Sequence, residues 1–454
     1  MRAMIILPPN NLTKPKKGGF ATRMTPLDAC TLSTYLSYYH YIGVLDALGE
    51  GLNEKKILQR VEEEDPDYVF FSAFDRCRYA VDIVNKLSEK ILAKCGIILG
   101  YNCKSMELIL KQNKNIDFCV CGDPEYTTKE LLDNTPLQKI EGLIYRKNNK
   151  VVVNKPRPLI KNLDILPTPD RKLINVELYK RLPHEAPKEP CFDMLASRGC
   201  PYQCTYCLIS MSAGRNYRVR SPKRVVEEIK SLIKMGAKMI HFQDPVFTLR
   251  RQWVIDFCNL AKDLDISWNC QTRTDLVDSE LLKKMKDAGC VSILYGVESL
   301  NSETLKIVKK NLNPEDTIKN IEQTLKTGIE VRCSLMVGLP NESKKQFKRS
   351  VNKLKKLNPN YMQFHSIVAF KGTEFYDQSK EYGKLIGKTN KNLDINGTPF
   401  VSNLYKDEKE ITKTQREAYW NFYLNPKYII KQAISPNQIK RNLKGVKILL
   451  SLDK

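Results

Sequence analysis

The sequence lacks any apolar run approaching the roughly 18 residues that a membrane-spanning helix needs. Its opening stretch, Met1 to Pro9, is apolar over too short a length for a secretory leader and indicates a buried first strand instead. No internal repeat of solenoid length is present. These absences exclude a helical membrane protein and a repeat array. We expect a cytoplasmic protein, and its 454 residues predict two or three domains.

Acidic residues are also few, since 51 Asp and Glu stand against 74 Lys and Arg and the formal net charge is +23. A basic surface can bind nucleic acid or an anionic membrane. However, the basic residues are mostly lysines scattered over the whole chain, with no recognition motif that interleaves aromatic residues. A lysine-rich composition explains the charge better, so we expect no nucleic-acid partner. The 14 cysteines are also dispersed, and we expect most of them to be reduced.

Three of these cysteines stand close together, at Cys200, Cys204 and Cys207, just after the strand-like run Phe192–Ala196. Three thiolates at Cys-x3-Cys-x2-Cys spacing can hold three irons of a 4Fe–4S cube and leave the fourth iron open to another ligand. A closed zinc knuckle would need a fourth ligand, and neither Cys191 nor His184 stands at a usual spacing. Three thiols packed as small hydrophobic side chains are the other alternative. The cluster is the favoured interpretation.

Residues 1 to about 140 alternate short apolar runs with helical patterns, which predicts an open α/β domain with a parallel, doubly wound sheet. Ligands of such sheets bind at the carboxyl ends of the strands, where small residues would admit a large planar ligand or, equally, a nucleotide. The predicted strands are Ala3–Leu7, Tyr41–Leu45, Tyr68–Ala73, Gly96–Leu99 and Phe118–Cys121, with helices over Asn53–Glu63 and Arg78–Leu92. The residues expected at the strand ends include Pro9, Asn10, Asp46, Ser72, Gly100, Gly122 and Glu125.

A connector is predicted from about 141 to 185, with a hairpin followed by a Pro-rich stretch. From 186 to about 400, strand and helix patterns alternate about six times, which predicts a partial (βα)6 barrel of TIM type. The helix over Ser221–Met235 is typical, because Ser221 suits the N-cap, Pro222 the first turn and Gly236 the end. The predicted barrel strands are Phe192–Ala196, Met239–Phe242, Ser267–Thr272, Ser292–Tyr295, Glu330–Val337 and Tyr361–Val368.

Polar residues recur where these barrel strands end, which is where the reactive groups of such barrels collect. Candidate ligand-binding residues are therefore found after, or at the end of, strands two to five: Gln243, Asp244, Gln271, Arg273, Glu298 and Gly338. The thiols of Cys258, Cys270, Cys290 and Cys333 lie instead in apolar patterns and are expected in the core.

The cysteine loop resembles that of the radical S-adenosylmethionine (SAM) enzymes, and Gly296-Val297-Glu298-Ser299 resembles their "G-[IV]-E-S" element. The resemblance implies that the open iron chelates SAM and that reduction of the cluster splits it into a 5′-deoxyadenosyl radical. Tyr206 resembles the aromatic residue beside the last cluster thiol. By charge, Glu298 or Asp244 suits the SAM ammonium or ribose, Arg273 the carboxylate and the backbone near Gly338 the adenine.

The N-terminal region resembles the cobalamin-binding domain that precedes many radical SAM domains. Residues 117–125 are similar to a "D-x-x-V-x-G-E-x-E" element, and 163–170 to an "L-D-x-L-P-x-P" link. An ordinary strand ending in a Gly-Asp-Pro turn is the alternative for the first of these. Cobalamin is implied as a cofactor at the strand ends named above. His40 lacks the Asp two residues before it that a cobalt-ligating motif requires, since Tyr38 stands there, and many relatives need no histidine.

Residues 401–454 are expected to form a helical C-terminal extension with a basic amphipathic end. Such an end can lie on an anionic membrane, although packing against its own domain is commoner. Its "F-Y-L-x-P-x-Y-I" element resembles the anaerobic magnesium-protoporphyrin ester cyclase group, whose large greasy substrates make a lipid-like substrate conceivable.

The resemblance implies a radical SAM enzyme with an electron donor and an organic substrate, in which methylcobalamin methylates an unactivated carbon. Ring closure, oxidation or carbon–carbon coupling without methyl transfer is the close alternative. A methylthiotransferase is less favoured, because the N-terminal cysteines do not show the usual surroundings of a second triad. A non-catalytic sensor of corrinoid or redox state is the rival from another class.

Overall fold

The structure is a computed structural model that describes residues 1–9, 24–72, 85–98, 103–179, 181–182, 184–209, 214–386 and 398–433. Asn10, Gly100, the first half of the helix predicted over Arg78–Leu92 and the basic tail after residue 433 lie outside these ranges. No helix among the described residues is long and apolar enough to cross a membrane.

The N-terminal sheet has seven strands in the order β2-β1-β3-β4-β5-β6-β7, of which the first five in this order run parallel. Alternate residues of one strand pack into two separate cores, since Ala3 and Ile5 face one layer while Met4 and Ile6 face the other. This confirms the doubly wound α/β prediction. The strands are β1 Arg2–Ile6, β2 Tyr41–Leu45, β3 Tyr68–Ser72, β4 Lys94–Ile98, β5 Phe118–Val120, β6 Leu143–Lys147 and β7 Lys150–Val153. The helices are α1 Leu27–Leu36, α2 Glu54–Glu64, α3 Cys103–Gln112 and α4 Pro124–Leu132.

The hairpin of β6 and β7 belongs to this sheet, because β6 pairs antiparallel with β5. The sheet therefore continues to Val153, past the residue 140 at which the sequence places the end of the first domain. Three short 3-10 turns, at Leu163–Ile165, Arg171–Leu173 and Val176–Leu178, then lead to the barrel.

The second sheet has six parallel strands in the order β15-β14-β13-β12-β11-β8, which confirms the partial barrel. The strands after the first domain are β8 Cys191–Met194, β9 Ser197–Arg198, β10 Arg218–Val219, β11 Met239–Phe242, β12 Ser267–Thr272, β13 Cys290–Glu298, β14 Glu330–Val337, β15 Tyr361–Ser366, β16 Val368–Ala369, β17 Gly383–Leu385 and β18 Thr398–Ser402. The helices are α5 Pro222–Lys234, α6 Arg251–Ala261, α7 Ser279–Asp287, α8 Ser302–Ile307, α9 Pro314–Lys326, α10 Lys344–Leu357, α11 Glu374–Tyr382, α12 Glu408–Tyr423 and α13 Pro426–Ala433.

Helix α5 begins and ends as predicted. The Ser221 side chain accepts a hydrogen bond from Arg224 N, and Pro222 occupies the first turn. Val225, Ile229 and Leu232 are buried along one face. The core between the barrel strands and their helices also contains Cys258, Cys270, Cys290 and Cys333, which confirms that these thiols are core residues.

The C-terminal helix α12 covers the edge strand β15. The Tyr423 hydroxyl donates to Met362 O at 2.8 Å and accepts from Met362 N at 3.2 Å, so it replaces a neighbouring strand at that residue. Tyr419 binds the backbone of Phe364 in the same way, at 3.3 and 3.2 Å. The described part of the predicted helical extension thus packs against its own domain and covers the edge of the sheet.

Candidate active site

The three clustered cysteines lie on one loop after β9, at the carboxyl end of the barrel. Backbone hydrogen bonds fix this loop to its surroundings, from Cys200 N to Gly214 O at 3.0 Å, from Thr205 N to Val308 O at 3.1 Å and from Phe375 N to Thr205 O at 3.0 Å. All three thiols are free of disulfide bonds and half-buried. The loop therefore presents them together at the barrel mouth on a restrained backbone.

Positive charges face these thiols. Burial raises the pKa of Cys200, while the Tyr202 N–H and the nearby cations Lys310 and Arg273 act to lower it. Burial also raises the pKa of Cys207 to about 11, and Lys310 again opposes the shift. Iron binds the thiolate form, so cations at this place favour ligand binding.

Arg273 follows β12 and has its donors directed at protein groups. Two of its nitrogens donate to the Asp275 carboxylate at 2.9 and 2.7 Å, and a third donates to Lys310 O at 2.9 Å. Its guanidinium lies over the Tyr202 ring, 3.9 Å from the centroid. In this arrangement Arg273 supports the cysteine loop through Tyr202, and its predicted contact with the SAM carboxylate stays a prediction.

Glu298 ends β13 with a backbone φ of 65°, in the left-handed region that is costly for a glutamate. Its carboxylate lies 3.4 Å from Lys310 Nζ and 3.5 Å from Ser334 Oγ. A Cβ at Gly296 would lie 2.7 Å from Glu298 Oε1 and 2.9 Å from Lys310 Nζ, so a larger residue there would displace the ends of both side chains. The fold therefore holds a buried Glu–Lys pair beside the cysteine loop.

Tyr206 connects the loop to this pair. Its ring packs against a small core that includes Val308 and Leu339. Burial raises the pKa of Tyr206, and the charge of Glu298 and the Cys204 thiol add to the shift. Tyr206 therefore lies near both the thiols and Glu298.

The Asp244 carboxylate is fully buried and forms its hydrogen bonds with other residues of the protein. It accepts hydrogen bonds from Ala196 N at 3.0 and 3.1 Å and from the Ser197 hydroxyl. Burial raises the pKa of Asp244 to about 6, against these hydrogen bonds. It supports the start of the cysteine loop, and its predicted contact with SAM stays a prediction.

The other predicted barrel residues differ in accessibility. Gln243 donates to Thr25 O at 3.3 Å and so contacts the N-terminal domain. Gln271 is half-buried on β12. Gly338 has a φ of 83°, and a Cβ there would lie 3.2 Å from Ile411 of α12. The space beside Gly338 is therefore taken in part by the C-terminal helix.

A cleft separates the carboxyl edges of the two sheets. Ser72 and Gly122, two of the residues predicted to bind a cofactor, line it from the N-terminal sheet. Gly199 and Gln243 line it from the barrel, and Gly199 directly precedes the first clustered cysteine. Its further lining is mostly small or apolar, from Met24, Ala29, Leu32, Ile98, Pro124, Leu195, Ile209 and Pro245.

Three further N-terminal residues do not line this cleft. Glu125 is fully buried and forms an ion pair with Arg198 at 2.7 Å, so its charge is directed at the barrel. His40 lies before β2, at the amino end of the sheet, where its ring contacts Asp133 at 3.0 Å. The expectation that His40 does not ligate cobalt agrees with its position at the amino end. Half-buried Pro9 follows β1 at the cleft side of the sheet.

The cysteine loop fits an iron–sulfur cluster better than zinc. Each thiolate of a 4Fe–4S cube binds a different iron, so the sulfurs do not converge on one point. Among the described residues, no three His, Cys, Asp or Glu side chains converge to hold a single ion. The two candidates for a fourth zinc ligand do not lie with the three cysteines. Cys191 begins β8 at the opposite end of the barrel, and the centroid of the His184 ring lies 5.2 Å from that of the Tyr361 ring.

Two residues of the site had no clear signal in the sequence. Lys310 is one of 74 basic residues, and only the fold brings its ammonium to Glu298 and the thiols. Arg198 stands two residues before Cys200, a closeness that could have drawn attention to it.

Comparison with known proteins agrees with this geometry. The family model of the radical SAM superfamily matches residues 194–354. An uncharacterized methyltransferase of Pyrococcus horikoshii is 30% identical over 98% of each chain. The anaerobic magnesium-protoporphyrin IX monomethyl ester cyclase of Rubrivivax gelatinosus is 25% identical, over 88% of this chain and 73% of its own.

A solved structure shares the whole architecture. The cobalamin-dependent SAM radical enzyme OxsB, with aqua-cobalamin and SAM bound, superposes with a TM-score of 0.75 at 17% identity, over 99% of this chain and 72% of its own. This chain belongs to the radical SAM superfamily. It is a radical SAM enzyme, whose cofactors are a 4Fe–4S cluster and SAM and which acts on an organic substrate with an electron from a donor.

Proposed function

We propose that this enzyme is a cobalamin-dependent methyltransferase that acts on an unactivated carbon. The cleft between the two sheets carries the proposal, because it joins the ligand-binding edge of a doubly wound domain to the mouth of a radical SAM barrel. Gly199 lines the cleft one residue before Cys200. A corrinoid in the cleft and a cluster on the loop would face one reaction space.

The cluster would be held by Cys200, Cys204 and Cys207, and when bound it supplies the electron that cleaves SAM. Glu298 suits the SAM ammonium or the ribose hydroxyls. Lys310 suits the SAM carboxylate better than Arg273 does, because an ammonium has three donors and, among the described residues, the 3.4 Å contact with Glu298 is its one polar side-chain contact. The backbone near Gly338 is assigned to the adenine, and Gln243 and Gln271 to further contacts.

The described lining of the cleft fits a corrinoid held without a histidine ligand, since no histidine is among those residues. Ala29, Leu32 and Ile98 offer an apolar wall to a macrocycle, and Gly122, at a φ of 80°, allows close approach of the backbone. When bound, cobalamin supplies the methyl group. Support comes from the P. horikoshii relative, named a methyltransferase, and from the cobalamin bound to the solved structure.

The proposed domains are a cobalamin-binding domain at 1–140, a connector at 141–185, the radical SAM barrel at 186–400 and the C-terminal extension at 401–454. We extend the first domain to Val153, because β6 and β7 share its sheet.

The test uses anaerobically purified full-length protein, reconstituted with iron and sulfide and then titrated with hydroxocobalamin. We expect one corrinoid per chain, 5′-deoxyadenosine after addition of SAM and dithionite, and transfer of labelled methyl from SAM to the bound corrinoid. Protein that retains no corrinoid would contradict methyl transfer. Zinc in place of iron and sulfide would contradict the radical chemistry as well.

A second candidate is a radical step that ends in ring closure, oxidation or coupling, which the R. gelatinosus cyclase favours. In the same experiment it predicts 5′-deoxyadenosine without transfer of methyl label. A sensor would bind SAM and corrinoid but release no deoxyadenosine.

Contact with a membrane, and with it a lipid-like substrate, is a separate prediction. Large apolar side chains are exposed near the end of the described chain, at Trp420, Leu424, Ile429 and Ile430. Lysines flank them, as in helices that lie on anionic surfaces. Sedimentation with vesicles of anionic and of neutral lipid checks this, and equal recovery from both would contradict it.

A further inference from the structure

Four charged side chains join the N-terminal domain to the cysteine loop. Arg198 donates to both Glu125 oxygens, at 2.7 and 3.3 Å, and to Asp123 Oδ1 at 3.2 Å. Arg218 donates to both Asp123 oxygens and to Ile160 O at 2.9 Å. We call these residues, Asp123, Glu125, Arg198 and Arg218, the interdomain latch.

The local secondary structure places the two carboxylates of the latch opposite its two guanidinium groups. Asp123 and Glu125 stand at the start of α4, where the helix dipole favours carboxylates. Arg198 and Arg218 are cross-strand partners in the two-stranded β9–β10 pair. The two carboxylates and the two guanidinium groups are therefore opposed as pairs, and the Asp28 carboxylate lies 3.8 Å from Arg198 beside them.

The latch lies close to the cluster ligands along the chain. Arg198 is two residues before Cys200, and two residues span at most about 7 Å of extended chain. Between them, Gly199 has a φ of 87° and lines the interdomain cleft together with Arg198 and Asp123. A shift of Arg198 relative to Glu125 would therefore move the first cluster ligand relative to the cleft.

Stability alone is a poor reason for such an arrangement. Glu125 is fully buried and Asp123 is 3% exposed, and the loss of hydration of buried ions offsets much of their mutual attraction. A bidentate Arg–carboxylate contact fixes the orientation of the two groups, because the planar guanidinium sets both the distance and the angle between them. The latch is therefore better suited to orienting two domains than to holding them together.

We propose that Arg198 is a positioning residue which, through Glu125, fixes the cysteine loop against the N-terminal domain and so sets the separation of cluster and corrinoid. The part of this proposal that concerns the corrinoid rests on the proposed function. The part that concerns the position of the cysteine loop does not. Lysine at position 198 keeps the charge and loses the two-pronged geometry, whereas methionine loses both.

The test compares Arg198→Lys and Arg198→Met with Arg171→Lys. Arg171 is a more deeply buried arginine, with 2% of its side chain exposed against 14% for Arg198, and it pairs with Glu228 at 2.6 Å from the connector. In protein loaded with cob(II)alamin and reduced cluster, both centres are paramagnetic, and their dipolar coupling reports their separation. We expect one defined coupling in the parent and in Arg171→Lys, a broadened one in Arg198→Lys, and its loss in Arg198→Met.

Hydrogen exchange of the cofactor-free chain provides a second measurement that does not depend on corrinoid. We expect at least tenfold faster exchange over residues 198–209 in both Arg198 variants than in Arg171→Lys. Dipolar coupling and exchange in both Arg198 variants that match those of Arg171→Lys would overturn the proposal. A parent that binds no corrinoid would instead contradict the proposed function, and the exchange result would still decide the role of Arg198.

Discussion

The guanidinium of Arg273 lies 3.9 Å from the centroid of the Tyr202 ring, and Tyr202 stands between two of the clustered cysteines. Asp275 holds the same guanidinium from the other direction, at 2.7 Å. The loop that would carry the cluster is thus supported on a cation that belongs to the next-but-one barrel strand.

We therefore expect Arg273→Met to lower the free energy of unfolding by about 1–3 kcal/mol, through the lost cation–π contact and the hydrogen bonds. Iron content after reconstitution should fall severalfold, because the loop is less ordered. Thermal unfolding and iron analysis measure the two effects. Arg251→Met is the control, since Arg251 makes a similar contact with Asp278 on the exposed surface. Equal iron content in both variants would contradict the role given to Arg273.

Replacing Cys204 by alanine should abolish the cluster, because two thiolates cannot hold three irons of the cube. We expect loss of the brown absorbance and of most iron and sulfide, with little change in thermal stability. Cys191→Ala is the matched control, since Cys191 is also half-buried but begins β8 at the other end of the barrel. A Cys204→Ala protein that keeps a full complement of iron would contradict the assignment.

Lys310→Met should make the cluster harder to reduce, because it removes a positive charge that faces Cys200 and Cys207. It also leaves the Glu298 carboxylate, which is 9% exposed, without its cation. We expect a more negative reduction potential and weaker binding of SAM, measured by spectroscopic redox titration and equilibrium dialysis. Lys310→Arg should restore most of the potential. An unchanged potential in Lys310→Met would show that its charge does not act on the cluster.

Glu342→Gln should change how stability depends on pH. Glu342 is fully buried against the Ser299 hydroxyl, and burial raises the pKa of its carboxyl to about 8. The unfolded chain loses this proton near its ordinary pKa of 4.5, so between about pH 4.5 and 8 the folded state binds more protons and stability falls as the pH rises.

Over that window the loss approaches roughly 1.4 kcal/mol for each pH unit. Glutamine keeps a hydrogen bond to Ser299 and cannot ionise, so the gain of the variant over the parent should be larger at pH 8 than at pH 5. Denaturant unfolding at the two pH values measures this difference. A gain that is the same at both would indicate that Glu342 is ionised in the folded state.

Much of the fold was predictable, because alternation and capping are local properties. The strands Tyr41–Leu45, Met239–Phe242, Ser267–Thr272 and Glu330–Val337 lie where their apolar patterns place them. The antiparallel end of the first sheet is harder to predict, because the sequence pattern of a hairpin is the same whether or not the hairpin pairs with a further strand.

Within the site, a local motif identified the cysteine loop, but charge alone did not distinguish a ligand contact from an internal one. Asp244 and Glu125 were both predicted to bind cofactors, and the structure directs them at Ala196 and Arg198. The order of the residues does not show whether a carboxylate at the end of a strand will contact a ligand or another group of the protein.

The sequence by itself determined the cysteine triad, the two sheets and the residues at their carboxyl ends, since spacing and periodicity are written in neighbouring positions. Only the tertiary structure decided that both carboxyl ends open on one cleft, that Lys310 meets Glu298 and that Arg198 meets Glu125. These contacts join residues far apart in the chain, and charged partners find each other only when packing brings them within reach and removes the competing water.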